Sequence, residues 1–209
     1  MSTPESRPDP VPDTAPADSE KADILARTVA AIDAGDLERG RQILRSEYPF
    51  DAVTKNSRRY TERQCLRVFY RDGFLDRYSG TKLVHPGALR TLSILLPDEF
   101  PAHPNWLMSQ SHIAFWELFP TIDHLVPVTR GGADAEPNWV STSMLRNSAK
   151  AHWTLAELGW NLAEPGDYRL WDGLSGWFVE YLKVHPELMA DKYLARWFRA
   201  TVEVRATLT

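Results

Sequence analysis

Hydrophobic residues recur at helical spacing along the first third of the chain. In the segment KADILARTVAAIDAGDLERGRQILRSE, apolar side chains stand at positions 24, 25, 29, 32 and 37, and again at 43 and 44. This spacing predicts a helix, a break at residues 33–36 and a second helix. A third helix is predicted over TERQCLRVFYRDGF, ending where Gly73 can take a left-handed conformation.

The pattern changes after residue 80. The segment TKLVHPGALRTLSILLP holds two β-prone apolar runs, separated by Pro86-Gly87 and closed by Pro97, which predict strands or short irregular pairing. EFPAHPNWLMSQSHIAFWELFP predicts a loop and then a short helix from about residue 109 to residue 118. The C-terminal third predicts helices around a Trp-rich core, with tryptophans at positions 153, 160, 171, 177 and 197.

Residues 121–150, TIDHLVPVTRGGADAEPNWVSTSMLRNSAK, predict two short strands and a helix. β-Branched residues fill the first strand, the Gly-Gly pair at 131–132 favours a turn, and a Trp-Val pair begins the return strand. Ser141 or Thr142 can cap the helix that follows. Asp134, just after the glycines, is interpreted as a turn residue.

The predicted helix presents two different faces. Its apolar face is formed by Leu145, Ala149, Trp153 and Ala156. Asn147 and Lys150, three residues apart, share another face. Because this polar pair faces back toward Asp123 and His124 on the first strand, the four residues together suggest a catalytic site built around one metal ion.

Length and composition predict a globular α+β protein. With 209 residues and 43% hydrophobic content, the chain can bury a sizeable core as one mostly helical domain. We expect a disordered acidic tail at 1–19, N-terminal helices at 20–72, a central core at 73–160 with an insertion at 81–120, and C-terminal helices at 161–209. No long apolar segment or secretory signal is evident, so we expect a cytoplasmic protein without a membrane partner.

Charge is distributed unevenly along the chain. The overall formal charge is -4, and residues 1–24 hold six acids against two bases. Residues 55–90 hold nine bases against three acids. A basic segment in an otherwise acidic protein indicates a local surface that binds a polyanion.

The 121–150 segment resembles the HNH nuclease family, whose core is a β-hairpin crossed by one helix around a divalent metal. The resemblance rests on an ordered set of residues: Asp123-His124, Pro127, Gly131-Gly132, Asn138, Asn147 and Lys150. His124 and Asn138 are 14 residues apart, and Asn138 and Asn147 are 9 apart. It covers about 30 residues and implies an HNH ββα-metal core within the α+β fold.

The resemblance implies a role for each of these residues. Asp123 and Asn147 would supply oxygen ligands to a divalent metal, most simply Mg²⁺, for which Mn²⁺ or Ni²⁺ can substitute. His124 would be the general base, and Asn138 would orient it by a hydrogen bond across the loop. Lys150 would bind the scissile or a neighbouring phosphate.

The chain departs from the family just before this motif. Many HNH proteins carry an RDG segment followed by zinc-binding cysteines, and Asp76 and Ser79 stand at the first two cysteine positions in RDGFLDRYSG. The chain has one cysteine, so we expect no structural zinc. Packing by Phe74, Leu75 and Tyr78, with polar contacts at the turn, is expected to replace the zinc clamp.

Basic residues outside the motif are candidates for DNA contact. Arg63, Arg67 and Arg71 recur every fourth residue on the third helix and form one stripe. A solvated helix face is the alternative interpretation of the stripe. Arg130, in the loop of the motif, and Lys150 join them as predicted nucleic-acid contacts.

The function expected from the sequence is metal-dependent endonucleolytic hydrolysis of DNA, with restriction or defence as a role. Two alternatives stay open. One is a non-catalytic nucleic-acid-binding module that has kept the HNH fold. The other is a nuclease that acts on RNA or on modified DNA.

Overall fold

The computed structural model describes residues 18–50 and 59–208, and of residues 18–20 the backbone alone. Residues 1–17 of the predicted acidic tail lie outside these ranges. Lys55 and Arg58 of the basic segment also lie outside them. The chain divides into two compact units, residues 1–56 and 57–209. The third predicted helix therefore belongs to the second unit, whereas the sequence grouped it with the N-terminal helices.

The described part of the first unit is a pair of helices, as the sequence predicts. α1 (Asp18–Asp33) and α2 (Leu37–Glu47) are joined by a tight turn in which Gly35 has φ +81°. The Asp36 side chain accepts a hydrogen bond from Arg39 N and so caps α2.

The second unit combines helices with one two-stranded antiparallel sheet. Its elements are α3 (Glu62–Arg71), α4 (Pro86–Leu95), α5 (Ala114–Glu117), β1 (Pro120–His124), β2 (Trp139–Ser143), α6 (Met144–Lys150), α7 (Leu155–Leu158), α8 (Ser175–Val184) and α9 (Lys192–Arg205). The described chain is therefore of the α+β class. No helix within these described ranges is long and apolar enough to cross a membrane.

The prediction of strands between residues 81 and 97 is wrong for most of that segment. Only Lys82 pairs as a strand residue, in an isolated bridge with Leu75, and the second apolar run is helix α4. His85 caps this helix by accepting a hydrogen bond from Gly87 N, and Pro86 lies in its first turn. Proline is preorganised for that position, so Pro86-Gly87 begins a helix rather than breaking a sheet.

The helix predicted at about 109–118 is shorter in the structure. A single 3₁₀ turn covers Met108–Gln110 and α5 covers only Ala114–Glu117. His112 lies between them, where its ring stacks on Phe100.

The main core lies where α3, α4, α8 and α9 pack together. Its side chains include Leu66, Phe69, Leu89, Phe178, Leu182, Leu194 and Trp197. Of the five C-terminal tryptophans only Trp197 is buried. The prediction of a Trp-rich C-terminal core is therefore only partly right.

Two buried carboxylates attach the RDGFLD turn to the edge of β2. Asp72 accepts a hydrogen bond from Ser141 N at 2.8 Å, and Asp76 accepts one from Ser143 N at 2.9 Å. Asp72 is also paired with the nearly buried Arg77 at 3.0 Å. Because backbone N–H groups of β2 point at both carboxylates, hydrogen bonds from this turn hold β2 in register.

Packing within the same turn follows the sequence prediction. Phe74 is fully buried, with its ring against Phe69 and Tyr70, and Tyr78 is also buried. Gly73 has φ +63°, and a Cβ there would lie 2.3 Å from the Gly166 carbonyl carbon. Only glycine fits this close approach of two backbone segments.

Candidate active site

The hairpin sets the positions of the two central residues of the motif. β1 and β2 pair so that Asp123 lies opposite Val140 and His124 lies opposite Trp139. Successive side chains on a strand point to opposite faces. Asp123 and His124 are therefore adjacent in sequence but have different surroundings.

Asp123 is buried among polar groups that donate to it. Its Oδ2 accepts a hydrogen bond from the Tyr78 hydroxyl at 2.6 Å and lies 2.9 Å from Lys150 Nζ. Burial, and then the charge of Asp123, raise the pKa of Tyr78 above its ordinary value, so the phenol remains a donor. The second oxygen, Oδ1, has no hydrogen-bond partner among the residues that the structure describes.

Lys150 is fully buried, which differs from the surface phosphate contact expected from the sequence. Its ammonium donates to the His124 carbonyl oxygen at 2.7 Å and pairs with Asp123. An ammonium needs several acceptors or a counter-ion to be buried, and these two groups supply them. In this structure Lys150 joins the end of α6 to β1 instead of facing a substrate.

Asn147 lies on the Asp123 face of the hairpin. Its Nδ2 donates to Thr121 Oγ1 at 3.0 Å and to the Ile122 carbonyl oxygen at 3.3 Å. Thr121 is two residues from Asp123 on β1, so both side chains point to the face that α6 covers. The structure thus brings the two predicted metal ligands to one face.

His124 occupies a different cluster, made by Tyr60, Asp134 and Trp139. His124 Nε2 lies 2.9 Å from Asp134 Oδ1 and 3.2 Å from Trp139 Nε1. The His124 and Trp139 rings are perpendicular, as expected for an edge-to-face contact. The hydrogen bond with His124 is the main reason that the pKa of Asp134 lies below its ordinary value.

Asn138 does not touch the His124 ring, so the orienting hydrogen bond expected from the sequence is absent from the described contacts of Asn138. Its Oδ1 accepts from Val126 N, while Nδ2 donates to the carbonyl oxygens of Val126 and Ala133. A short amide can satisfy backbone groups inside a turn, and Asn138 does so here. Its contacts close the loop that carries Asp134.

The predicted arginine stripe is paired with carboxylates. Arg63 forms an ion pair with Glu203, and Arg67 Nε lies 3.0 Å from Glu136. Arg71 contacts Asp72 and donates to the carbonyl oxygens of Glu136 and Trp139, so it holds the start of β2. Exposed ion pairs are weak and can exchange for phosphates, so Arg63 and Arg67 stay candidate DNA contacts, whereas Arg71 has a structural role.

Arg130 also has a carboxylate partner. Its guanidinium lies 2.7 Å from Glu157 and 5.8 Å from the centre of the Trp153 ring. Both members of this ion pair are partly exposed. Arg130 therefore stays a candidate contact at the rim of the loop.

Four partners in the site were missed by the sequence interpretation. Trp139 could have been found, because the hairpin register places it opposite His124. Asp134 was interpreted as a turn residue, and Tyr60 and Tyr78 come from segments distant in sequence. Those contacts depend on tertiary packing and have no local signal.

No cluster of three or more His, Cys, Asp or Glu residues suited to a metal occurs within the described ranges. Comparisons with protein-family models, with curated proteins and with solved structures find no match for this chain. The geometry of the site is therefore the basis for assigning a function.

Proposed function

We propose that this chain is a metal-dependent endonuclease of the HNH type that hydrolyses phosphodiester bonds in DNA. One observation carries the proposal: a short β-hairpin and α6 bring Asp123 and Asn147 to one face while His124 stands beside them on β1. A carboxylate and an amide beside a histidine are the groups that metal-assisted hydrolysis requires.

The donor chemistry of Asp123 and Asn147 fits a hard divalent cation. Asp123 Oδ1 and Asn147 Oδ1 are both oxygens without partners among the described residues. Mg²⁺ favours one or two protein oxygens and completes its coordination with water and phosphate. When bound, such a cation would stabilise negative charge that develops on the phosphate.

Lys150 makes this a weak metal site in the absence of substrate. Its buried ammonium already balances the charge of Asp123 at 2.9 Å. A divalent cation would therefore enter a place of zero net charge and be repelled by Lys150. A bound DNA phosphate restores negative charge, so we expect metal and DNA to increase each other's affinity.

His124 performs the proton transfer in this proposal. Its imidazole takes a proton from the attacking water, the water oxygen bonds to phosphorus, and one ester oxygen leaves with the electrons of the broken bond. Because the ring is held at Nε2 by neighbouring side chains, the other nitrogen is the one that can accept this proton. Asp123 and Lys150 keep the β1 backbone in place during the reaction.

A second candidate function is non-catalytic binding of nucleic acid. The observation that favours it is the Asp123–Lys150 ion pair, which satisfies the site without any metal. Incubation of the full chain with supercoiled plasmid separates the two functions. The endonuclease gives nicked or linear product with Mg²⁺, Mn²⁺ or Ni²⁺ and none with chelator, whereas the binding module only shifts the plasmid in a gel.

The same assay tests the substrate class. Methylated plasmid, unmethylated plasmid and a single-stranded RNA are incubated in parallel with the same metal.

Calorimetry of Asp123→Asn should show weaker Mn²⁺ binding than the wild type in the presence of a non-cleavable DNA. Unchanged affinity in that variant would remove Asp123 from the metal site.

A further inference from the structure

Three polar hydrogen-bonding groups converge on a single oxygen of Asp134. Its Oδ1 lies 2.9 Å from His124 Nε2, 3.0 Å from the Tyr60 hydroxyl oxygen and 3.0 Å from Trp139 Nε1. Two of these groups also lie near His124 Nε2 itself, with Trp139 Nε1 at 3.2 Å and the Tyr60 oxygen at 3.4 Å. These contacts determine which of the atoms in the cluster carries a proton.

The shortest of these contacts, between His124 Nε2 and the Asp134 carboxylate, selects one neutral tautomer of His124. An ionised carboxylate accepts hydrogen bonds and cannot donate, and an indole nitrogen donates and cannot accept. If Nε2 carried a lone pair, it would face the Asp134 oxygen across 2.9 Å, and two acceptors would repel each other. A proton on Nε2 removes this conflict. The Trp139 N–H, which lies 3.2 Å from Nε2 and 3.0 Å from Asp134 Oδ1, then donates to the carboxylate rather than to Nε2. Asp134 thus accepts from His124, Tyr60 and Trp139 together.

We propose that Asp134 is a positioning residue that holds His124 in the Nε2–H tautomer, which leaves Nδ1 as the basic nitrogen. Among the residues that the structure describes, none forms a hydrogen bond with His124 Nδ1. In a neutral imidazole, the nitrogen that donates a hydrogen bond to a carboxylate carries the proton, and the other nitrogen is left as the base. Here Nε2 bonds to Asp134, so Nδ1 is the base.

The loop between the strands is built to place Asp134. Asn138 Nδ2 donates at 2.8 Å to the carbonyl oxygen of Ala133, the residue immediately before Asp134. A Cβ at Gly132 would lie 1.9 Å from the Val126 carbonyl oxygen, so only glycine lets the loop fold this closely. Asn138 therefore orients His124 indirectly, through the position of Asp134.

The tautomer follows from hydrogen bonding alone, and its catalytic consequence rests on the proposed nuclease function. If His124 is the base, Nδ1 must face the attacking water, and losing Asp134 lets the ring change tautomer and rotate. Removing the hydrogen-bonding partner that orients a metal-binding histidine costs about 10- to 100-fold in affinity or activity. We expect a loss of that size in the cleavage rate of Asp134→Ala at saturating DNA.

The test is ¹⁵N NMR of the imidazole nitrogens in the full chain with labelled histidine. The His124 signals are assigned by their absence from His124→Gln. Wild type should show a protonated Nε2 and an unprotonated Nδ1 in the neutral ring, and Asp134→Ala should show a mixture of the two tautomers. Glu136→Ala is the matched control, because this acid lies on the same loop but pairs with Arg67.

Two results would overturn the proposal: a wild-type His124 with its proton on Nδ1, or an Asp134→Ala spectrum that is the same as wild type. Asp134→Glu, which keeps the carboxylate, should restore part of the wild-type tautomer ratio. If the spectra change as expected but wild type cleaves no DNA, the positioning role of Asp134 stands and the nuclease function falls. The two failures are thus distinguishable.

Discussion

Lys150 Nζ lies 2.9 Å from Asp123 Oδ2, with the lysine fully buried and the aspartate nearly so. The two residues come from the end of α6 and the end of β1, so their ion pair fastens the helix to the hairpin. Two buried charges are tolerated only as a pair, because either one alone would have lost its hydration without compensation.

Lys150→Met should therefore destabilise the second unit strongly. It leaves Asp123 buried beside Tyr78 with no counter-ion, which costs about 3–5 kcal/mol in comparable pairs. Urea unfolding followed by tryptophan fluorescence measures the change. Lys183→Met, which removes an exposed ion pair with Glu180, is the control and should cost under about 1 kcal/mol.

The double variant Asp123→Asn with Lys150→Met tests the cause of that loss. Because it removes both charges, it should recover part of the stability that Lys150→Met alone loses. A double variant as unstable as the sum of the two single variants would show that the two charges do not interact.

His85 should make the second unit sensitive to acid. The ring is fully buried between Phe178 and Trp197, and burial lowers its pKa to about 3. The unfolded chain binds this proton near pH 6.5 and the folded chain does not, so the unfolded state binds more protons between these values. The contribution of His85 to stability is complete above pH 6.5 and falls as the pH drops toward 3.

The free energy of unfolding of His85→Asn, measured from pH 7 to pH 4, checks this sign. Asn keeps a side chain that can cap α4 but does not titrate, so the variant should lose less stability over that range than wild type does. His152→Asn, at an exposed position, is the control for the loss of a histidine outside the core. If the unfolding free energy of His85→Asn falls with decreasing pH as steeply as that of wild type, His85 is not the cause of the acid sensitivity.

Asp72 should be essential for holding β2 in place. Asp72→Ala removes the acceptor of Ser141 N and leaves the nearly buried Arg77 without its carboxylate. We expect a loss of about 3–5 kcal/mol in urea unfolding, since one member of a buried ion pair is removed. Asp98→Ala, at an exposed site, should change stability by about 0.5 kcal/mol or less. A small effect of Asp72→Ala would mean that packing alone holds the strand.

The hairpin and α6 could be predicted from the sequence because their signals are local. β-Branched residues and a Gly-Gly turn lie within thirty residues, and the expected strands and helix follow in that order. The cap of α6 is Ser143, however, and the predicted caps Ser141 and Thr142 lie in β2. Helix α4 was missed because a short apolar run between prolines suits a strand or a buried helix equally well. Its cap, His85, became evident only from its contacts in the structure.

The sequence predicted which residues of the candidate site the hairpin and α6 bring together, but it did not predict their contacts. Asp123, His124 and Asn147 lie where the spacing placed them, near one another on the hairpin and α6. The burial of Lys150 and the contact between Asp134 and His124 depend on how the loop and α6 pack. A lysine or an aspartate at such positions looks the same in the sequence whether it is exposed or buried.

Arg63 and Arg67 should contribute to DNA affinity without reading sequence. If each contacts one phosphate, replacing both with Gln should flatten the plot of log affinity against log salt by about 1.8 units, at roughly 0.9 per contact. Affinity for specific and random DNA should fall together. Lys183→Gln, on α8, is the control. An unchanged salt slope in the double variant would show that the stripe is a solvated face.

Cleavage of plasmid by wild type and by His124→Ala tests the central claim most directly. Both proteins are incubated with Mg²⁺ at saturating DNA, and His152→Ala serves as the control for loss of a nearby exposed histidine. The account predicts that His124→Ala cleaves about 10²- to 10⁴-fold more slowly than wild type, with DNA affinity nearly unchanged, and that His152→Ala cleaves like wild type. Equal cleavage by His124→Ala, or no cleavage by wild type with any of the three metals, would contradict it.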